Sequence, residues 1–194
     1  MRHGTIPFLI LLVYCFCGCA GGPKPASGTE EARPGKTASA ASSGGRVLLS
    51  AYLGLRDALV DADTLMADRA AASLRHIADS LTRDSLYTSE GPARSLANVM
   101  AEAEGLIGET GLEQRRRSFV MVGEALRDFL TQSGYDAAPV YVQTCPMAFR
   151  DSEPASWLSD SREILNPFLG RRHPKYGAGM LHCGELTDSL GLTH

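Results

Sequence analysis

The sequence predicts an all-α protein, in which an antiparallel bundle of about four helices precedes an irregular C-terminal tail with one short extended segment. Three observations predict this fold. Apolar residues between positions 46 and 134 recur at intervals of three and four, as in helices with one buried face. Short breaks divide this pattern into four segments. Beyond Gly134 the chain loses the helical period and becomes rich in Gly, Pro and Ser.

Residues 1–18 have the pattern of a bacterial lipoprotein signal peptide. A short basic start precedes an apolar run, Ile6–Phe16, which is shorter than the roughly 20 residues that span a bilayer. Lipoprotein signals place a small residue directly before the cysteine that receives the lipid, as Gly18 stands before Cys19. We therefore predict a lipidated Cys19 that anchors the chain to a membrane of the bacterial cell envelope, with the folded part in the periplasm. Secretion without a lipid is the alternative.

The segment after Cys19 is predicted to be a tether. Residues 20–45 contain no large apolar side chain. Such a segment cannot bury enough surface to offset the entropy lost on ordering. Residues 19–45 are therefore expected to form a lipidated, flexible tether with a typical reach of about 28 Å.

Residues 46–134 are predicted to form the helical bundle. Asp63 or Thr64 is expected to cap the second helix, and Gly91–Pro92 precedes the third. Four helices with short connections share one core most simply when they pack antiparallel. Glycines near the end of the third segment leave open an alternative of three helices with a long loop around Gly105–Gln114. The predicted buried stripes comprise Leu48, Tyr52, Leu55 and Leu59; Met66, Ala70, Leu74, Ile77 and Leu81; Leu96, Val99, Met100, Ala103, Leu106 and Ile107; and Phe119, Val122, Leu126, Phe129 and Leu130.

Residues 135–194 form the predicted tail, packed on the bundle. Pro139–Thr144 is β-branched and aromatic and is expected to be extended, and one helical turn is expected near Ser159–Ile164. A loop-rich tail needs a fixed cross-contact to stay ordered. Trp157 is the predicted structural anchor, and its buried indole N–H then needs one acceptor.

Charge and motifs exclude several classes of function. The net charge of −3 becomes −4 without residues 1–18, because Arg2 is lost and 18 basic residues then face 22 acidic ones. This balance argues against nucleic-acid binding. The one basic cluster, Arg115–Arg117, is interpreted as a solvated helical face, with an interaction patch as the alternative. The chain has no Gly-x-Ser-x-Gly, no Gly-rich phosphate loop and no His-Glu-x-x-His, so we expect no enzymatic activity.

Soft donor side chains are concentrated in the tail. Of five cysteines, three lie at or before position 19, which leaves Cys145 and Cys183 in the folded part. Two thiols in an oxidising compartment are candidates for a disulfide. Thiolates and thioethers also select Cu(I) over hard cations, and imidazole accepts copper or zinc. Met147 accompanies the first cysteine, and Met180 and His182 accompany the second.

These motifs resemble the bacterial domain of unknown function 3347, which is found on lipoproteins and on CusB-like adaptors of copper and silver efflux systems. The resemblance extends in outline from Val47 to Glu185, and Ala51–Val60 is similar to the opening helix of that family. The sequence Asn166–Pro167 is expected to form a turn. One difference is the segment Arg171–Gly179, which is additional to the family pattern and contains a second candidate turn at His173–Gly177. The matching tail residues are Tyr141, Cys145, Pro146, Met147, Trp157, Leu158, Ser159, Asn166, Pro167, Phe168, Gly170, Met180, Cys183, Gly184 and Glu185.

The resemblance implies an envelope lipoprotein associated with heavy-metal efflux, with a metal-efflux adaptor or another envelope protein as its partner. It also implies that the chain folds back so that Cys145 meets Cys183, and from the chemistry of these donors we expect the pair to bind Cu(I) or another soft metal ion. Met147, Met180 or His182 are then the candidates for completing the metal site. In the alternative, the domain is a non-catalytic interaction module and the two cysteines form a structural disulfide.

Overall fold

Four α-helices form the first part of the fold. The computed structural model describes residues 34–150 and 152–191, with side chains from residue 42 onward. The helices are α1 (Pro34–Val60), α2 (Thr64–Leu81), α3 (Glu90–Gly108) and α4 (Leu112–Gln132), with a short 3-10 turn at Ser85–Tyr87. Each helix packs against the next and α4 also contacts α1, so the four form a bundle-like core. The four-helix prediction is confirmed, and only residues 109–111 separate α3 from α4, which rules out the three-helix alternative.

The second helix shows how local sequence sets these boundaries. Asp63 caps it, because its carboxylate accepts a hydrogen bond from the Met66 backbone N–H at 2.9 Å. Its buried residues are Ala67, Ala71, Leu74 and Ala78. Met66 is exposed, so its placement on the buried stripe was wrong, and small alanines instead let neighbouring helices approach closely. No helix in the described residues is both long and apolar enough to cross a membrane.

The first helix begins earlier than the sequence predicts. It starts at Pro34, a residue suited to the first turn of a helix, so the predicted tether is wrong for residues 34–45. Gly44 and Gly45 lie inside the helix. A Cβ at Gly44 would lie 2.8 Å from the Cζ atom of Tyr87, and one at Gly45 would press on Tyr135. These glycines therefore allow close packing, whereas their sequence pattern suggested a flexible linker. Predictions for residues 1–33, including lipidation of Cys19, lie outside the described residues.

The C-terminal part contains a three-stranded antiparallel sheet, so the all-α prediction is wrong there. The strands are β1 (Val140–Phe149), β2 (Glu153–Ser159) and β3 (Glu185–Leu190), in the order β2-β1-β3. The predicted extended segment Pro139–Thr144 covers the first half of β1. The pairing of β1 with β2 shifts register between Cys145 and Phe149, where Pro146 cannot donate to the ladder. Residues 160–164 form bends and irregular backbone where one helical turn was predicted.

Tyr52 joins the sheet to the bundle. Its side chain, fully buried on α1, stacks on Phe119 of α4 with ring centroids 4.7 Å apart. Its hydroxyl accepts a hydrogen bond from the backbone N–H of Leu158 on β2 at 3.2 Å. Bundle and sheet consequently share one continuous core.

Candidate functional site

Cys145 and Cys183 lie in direct contact. Cys145 is fully buried on β1, and Cys183 is half-buried two residues before β3. Their sulfur atoms are 2.9 Å apart although 38 residues separate them in the chain. Both are free thiols, since the separation exceeds the disulfide bond length of about 2.05 Å. The fold therefore forms a dithiol pair between the central strand and the turn that leads to the edge strand.

Asn166 holds the turn that carries Cys183. Its side-chain amide donates a hydrogen bond to the Cys183 carbonyl at 2.7 Å. Its Oδ1 atom accepts from the backbone N–H groups of Phe168 and Leu169 at 2.8 and 2.9 Å. Asn166 is fully buried, so these bonds fix the Asn-Pro turn against the second cysteine. The sequence suggested a turn at Asn166 but not its contact with Cys183.

The additional segment Arg171–Gly179 does not separate the two cysteines. It forms its own tight turns, in which the Gly177 N–H donates to the His173 carbonyl at 2.8 Å. The chain then returns to Asn166, whose backbone N–H donates to the Leu181 carbonyl at 2.8 Å. The family-like turn beside Cys183 is therefore at Asn166, and the second candidate turn at His173 lies apart from it.

Trp157 lies close to Gly184, the residue that follows Cys183. It is 1% exposed and meets Phe168 edge-on with ring centroids 5.7 Å apart. A Cβ on Gly184, which has φ +146°, would lie 2.9 Å from the Cη2 atom of Trp157. Among the described residues, neither the Trp157 Nε1 nor the Oε1 of its cross-strand neighbour Gln143 has a hydrogen-bond partner. The acceptor expected for the indole N–H is thus absent from the described part of the chain.

The other predicted donors differ in burial. Met147 and Met180 are partly buried and pack against the core. His182 is exposed, and its Nδ1 atom lies 2.8 Å from the Ile164 carbonyl oxygen. No group of three or more His, Cys, Asp or Glu suited to a metal ion occurs in residues 34–150 and 152–191. Two thiols, with two thioethers near them in the chain, are therefore the soft donors that this region offers.

Burial makes the Cys183 thiol a weaker acid than an ordinary cysteine thiol. Its pKa is raised to about 12, chiefly by desolvation and further by the hydrogen bond and the charge interaction with Cys145. The thiolate is the nucleophile and the metal ligand. At neutral pH the Cys183 sulfur is consequently protonated and weakly nucleophilic until a ligand displaces its proton.

The basic cluster on α4 is mostly not the solvated face that the sequence suggested. Arg115 is 7% exposed and pairs with Asp68 through Nε and Nη2 at 2.8 and 3.0 Å. Arg116 is 5% exposed. Arg117 is half-exposed and pairs with Glu153 of β2 at 2.7 Å. The signal that was missed is the helical period: Arg115 and Arg116 stand four and three residues before buried Phe119, on its stripe.

Comparison with known proteins identifies one family. The model of a family described as protein of unknown function, DUF3347, matches residues 48–137. The match begins within α1, covers α2, α3 and α4, and ends before β1, so neither Cys145 nor Cys183 lies inside it. No curated protein and no solved structure matches the chain.

Proposed function

We propose that this protein, whose residues 48–137 match the DUF3347 family of proteins of unknown function, is a non-catalytic envelope lipoprotein that binds a soft metal ion. The ion is Cu(I) or an ion of similar chemistry, and its ligands are Cys145 and Cys183. The partner that follows from this proposal is a metal-efflux adaptor or another envelope protein. The observation that carries the proposal is the 2.9 Å contact between the two sulfur atoms.

The donor set favours a soft ion over a hard one. Hard cations such as Mg²⁺ and Ca²⁺ need several oxygen ligands. A structural zinc site needs four ligands, usually from Cys, His or carboxylates, and the described residues contain no cluster of three. Thiolate and thioether sulfurs suit Cu(I), and Met147 and Met180 stand two and three residues from the cysteines in the chain. Sulfur ligation by this region therefore fits Cu(I) best.

Proton release is a built-in consequence of binding at this site. Because burial raises the pKa of Cys183 to about 12, an ion must displace the thiol proton to bind its sulfur. The apparent affinity for Cu(I) is then expected to rise with pH across the neutral range. A site built on exposed thioethers alone has no proton to release and no such dependence.

Competition for Cu(I) against a chromogenic chelator tests the proposal. The full chain is used with the three N-terminal cysteines, Cys15, Cys17 and Cys19, replaced by Ser, so that only Cys145 and Cys183 remain. Under reducing, anaerobic conditions this protein is expected to take up close to one equivalent of Cu(I). Uptake is expected to be lost when both remaining cysteines are changed to Ala, which avoids burying an unpaired hydroxyl at Cys145.

Methionine variants provide the matched controls. Met147→Leu and Met180→Leu are expected to weaken Cu(I) binding less than loss of the thiols does. Met121→Leu, at an exposed position on α4, is expected to leave it unchanged. Equal Cu(I) uptake by the protein with both thiols and by the double Ala variant would contradict the proposal.

A structural disulfide is the second candidate, and the same sulfur contact favours it. In an oxidising compartment two touching thiols need only a small approach to form a bond. The domain is then an interaction module whose C-terminal part is held by a crosslink of about 3–4 kcal/mol in the chain-entropy model. Counting free thiols before and after reduction of protein isolated from the envelope distinguishes the two. If the two cysteines are fully oxidised and take up no Cu(I) in that state, the result favours the interaction module with a structural disulfide.

A further inference from the structure

A cavity lies where the first turn of α4 meets the end of β1 and the loop after Asn166, and neither cysteine lines it. Its volume is about 340 Å³. The apolar part of its wall comprises Leu112, Ala148, Phe149, Phe168 and Pro174. Its charged or titratable lining residues are Glu113 and Arg116 of α4, Arg150, which follows β1, and His173. Cavities of this size with apolar walls and a few polar groups are typical of small-molecule sites.

Arg116 is the unusual residue of this wall. It is 5% exposed, and its Nε atom is buried without an acceptor among the described residues. Its neighbours in the helix, Arg115 and Arg117, each pair with a carboxylate at 2.8 and 2.7 Å, whereas no described carboxylate forms an ion pair with Arg116. Burial without such a partner lowers the pKa of Arg116 to about 10, so its guanidinium still carries its charge at neutral pH. A buried, uncompensated cation of this kind is costly.

The role of Arg116 in the fold accounts for only part of this arrangement. Its Nη2 atom donates to the Leu59 carbonyl at 3.1 Å, which satisfies one carbonyl in the last turn of α1. Gly170, with φ +60°, makes room for this group, since a Cβ there would lie 2.8 Å from Nη2. The contact leaves Nε unpaired, and Glu113, whose charge raises the pKa of Arg116, forms no ion pair with it. Because Arg116 lines the cavity, an anion there would compensate the charge of its guanidinium, which the contact with Leu59 does not.

Two further features favour an anion at the same place. The lining residues Leu112 and Glu113 are the first of α4, so the cavity lies beside a helix N-terminus. The N-cap residue of this helix is Gly111, which has no side chain to accept hydrogen bonds from the N–H groups of the first turn. Arg150 adds a second guanidinium. With Arg116 and Arg150 at +1 each, Glu113 at −1 and His173 counted as neutral, the lining side chains sum to +1, which matches a monoanion better than a dianion.

We propose that this cavity binds a small monocarboxylate with an apolar body, whose carboxylate pairs with Arg116 and whose body packs on the aromatic wall. A guanidinium offers a planar fork that matches a carboxylate. Phe149 and Phe168, with ring centroids 5.3 Å apart, supply an apolar surface that inorganic phosphate would not use. The site contains neither cysteine, so it does not depend on metal binding.

Isothermal titration calorimetry of the full chain in mild detergent, with benzoate as the probe, tests this proposal. Saturable binding of benzoate is expected. Arg116→Gln removes the charge and is expected to weaken binding at least about tenfold, as for loss of a charge-assisted hydrogen bond. Arg150→Gln, at an exposed position, is expected to weaken benzoate binding about threefold. This variant replaces Arg116→Gln as the test if Arg116→Gln does not fold. Arg115→Gln removes the same charge one residue away from the cavity wall and is expected to change the affinity less than about twofold.

Four outcomes would overturn the proposal. The first is no saturable binding of benzoate up to millimolar concentrations. The second is equal binding of benzamide, which has the same body without the charge and would indicate an apolar cavity only. The third is tighter binding of inorganic phosphate than of benzoate, which would indicate a general anion site. The fourth is a loss of affinity in Arg115→Gln as large as in Arg116→Gln.

Discussion

Replacing Gly184 with Ala is expected to destabilise the dithiol region. Gly184 follows Cys183 directly and has φ +146°, a backbone conformation that favours glycine. An added Cβ would lie 2.9 Å from the Cη2 atom of Trp157 and 3.2 Å from the Thr144 carbonyl oxygen. Trp157 is 1% exposed and cannot move away freely. The substitution therefore strains the backbone and overfills the core at once.

The size of the effect follows from these two contributions. A residue forced into a sparsely populated backbone region costs about 1–3 kcal/mol. Overfilling a packed core costs about 1–3 kcal/mol as well. One shift of the Cys183 turn relieves both, so the contributions do not add fully, and we expect a loss of at least about 2 kcal/mol. For a domain of this size that loss lowers the melting temperature by at least about 4 °C.

Gly134→Ala is the matched control. Gly134 also has a positive φ, +67°, but nothing lies within 4 Å of an added Cβ. Only the left-handed backbone is then penalised, by about 1–2 kcal/mol. Thermal and urea unfolding of both variants, with Cu(I) competition on each, gives the comparison. A loss in Gly184→Ala that is equal to or smaller than the loss in Gly134→Ala would refute the contact with Trp157.

Four further predictions test other parts of the structure. Tyr52→Phe leaves the buried Leu158 N–H without its acceptor and should cost about 1–3 kcal/mol in urea unfolding; an unchanged midpoint would contradict that contact. Leu126→Ala creates a cavity at a fully buried position and should cost about 2–5 kcal/mol, so a loss under 1 kcal/mol would argue against the four-helix core. Because the pKa of Cys183 is raised to about 12, its alkylation rate should keep rising between pH 8 and pH 10, whereas a plateau near pH 9 would indicate an ordinary thiol. Cys19→Ala should release the protein from membranes in detergent-free fractionation; continued sedimentation with membranes in high salt would exclude lipid anchoring.

Helical periodicity carried most of the fold prediction. The stripe through Phe119 is buried as its spacing of three and four indicates. The stripe through Leu74 is fully buried only at Leu74, because the buried face of α2 is displaced by one residue, to Ala67, Ala71, Leu74 and Ala78. The same rule, applied one turn earlier on α4, would have placed Arg116 inside, but its charge suggested a solvent-facing position. Gly44 and Gly45 were misread for a similar reason, because glycine serves both flexible linkers and close helix contacts.

The sheet could not be predicted from local sequence. Strand β2, Glu153–Ser159, contains a proline and no β-branched residue, and β3, Glu185–Leu190, is largely exposed. Neither has the alternation or propensity that signals a strand. Both form because they pair with β1, whose Val140 and Val142 are buried. Such pairing depends on contacts that are distant in sequence.

The contact between Cys145 and Cys183 also cannot be predicted from their spacing in the sequence alone. A separation of 38 residues allows many arrangements. The expectation that they meet rests on the resemblance of the tail to the family, and the match of the family model itself ends at residue 137. In the structure the contact rests on Asn166, which bonds the Cys183 carbonyl, and on the central position of β1 in the sheet. Both are products of the whole fold.

X-ray absorption spectroscopy at the copper edge tests the central claim most directly. The sample is the full chain with Cys15, Cys17 and Cys19 replaced by Ser, loaded with one equivalent of Cu(I) under reducing conditions. If Cys145 and Cys183 bind the ion together, the spectrum should show at least two sulfur neighbours and lose them in the double Ala variant. A first shell of nitrogen or oxygen atoms only, or a sulfur shell that persists in the double variant, would contradict the claim.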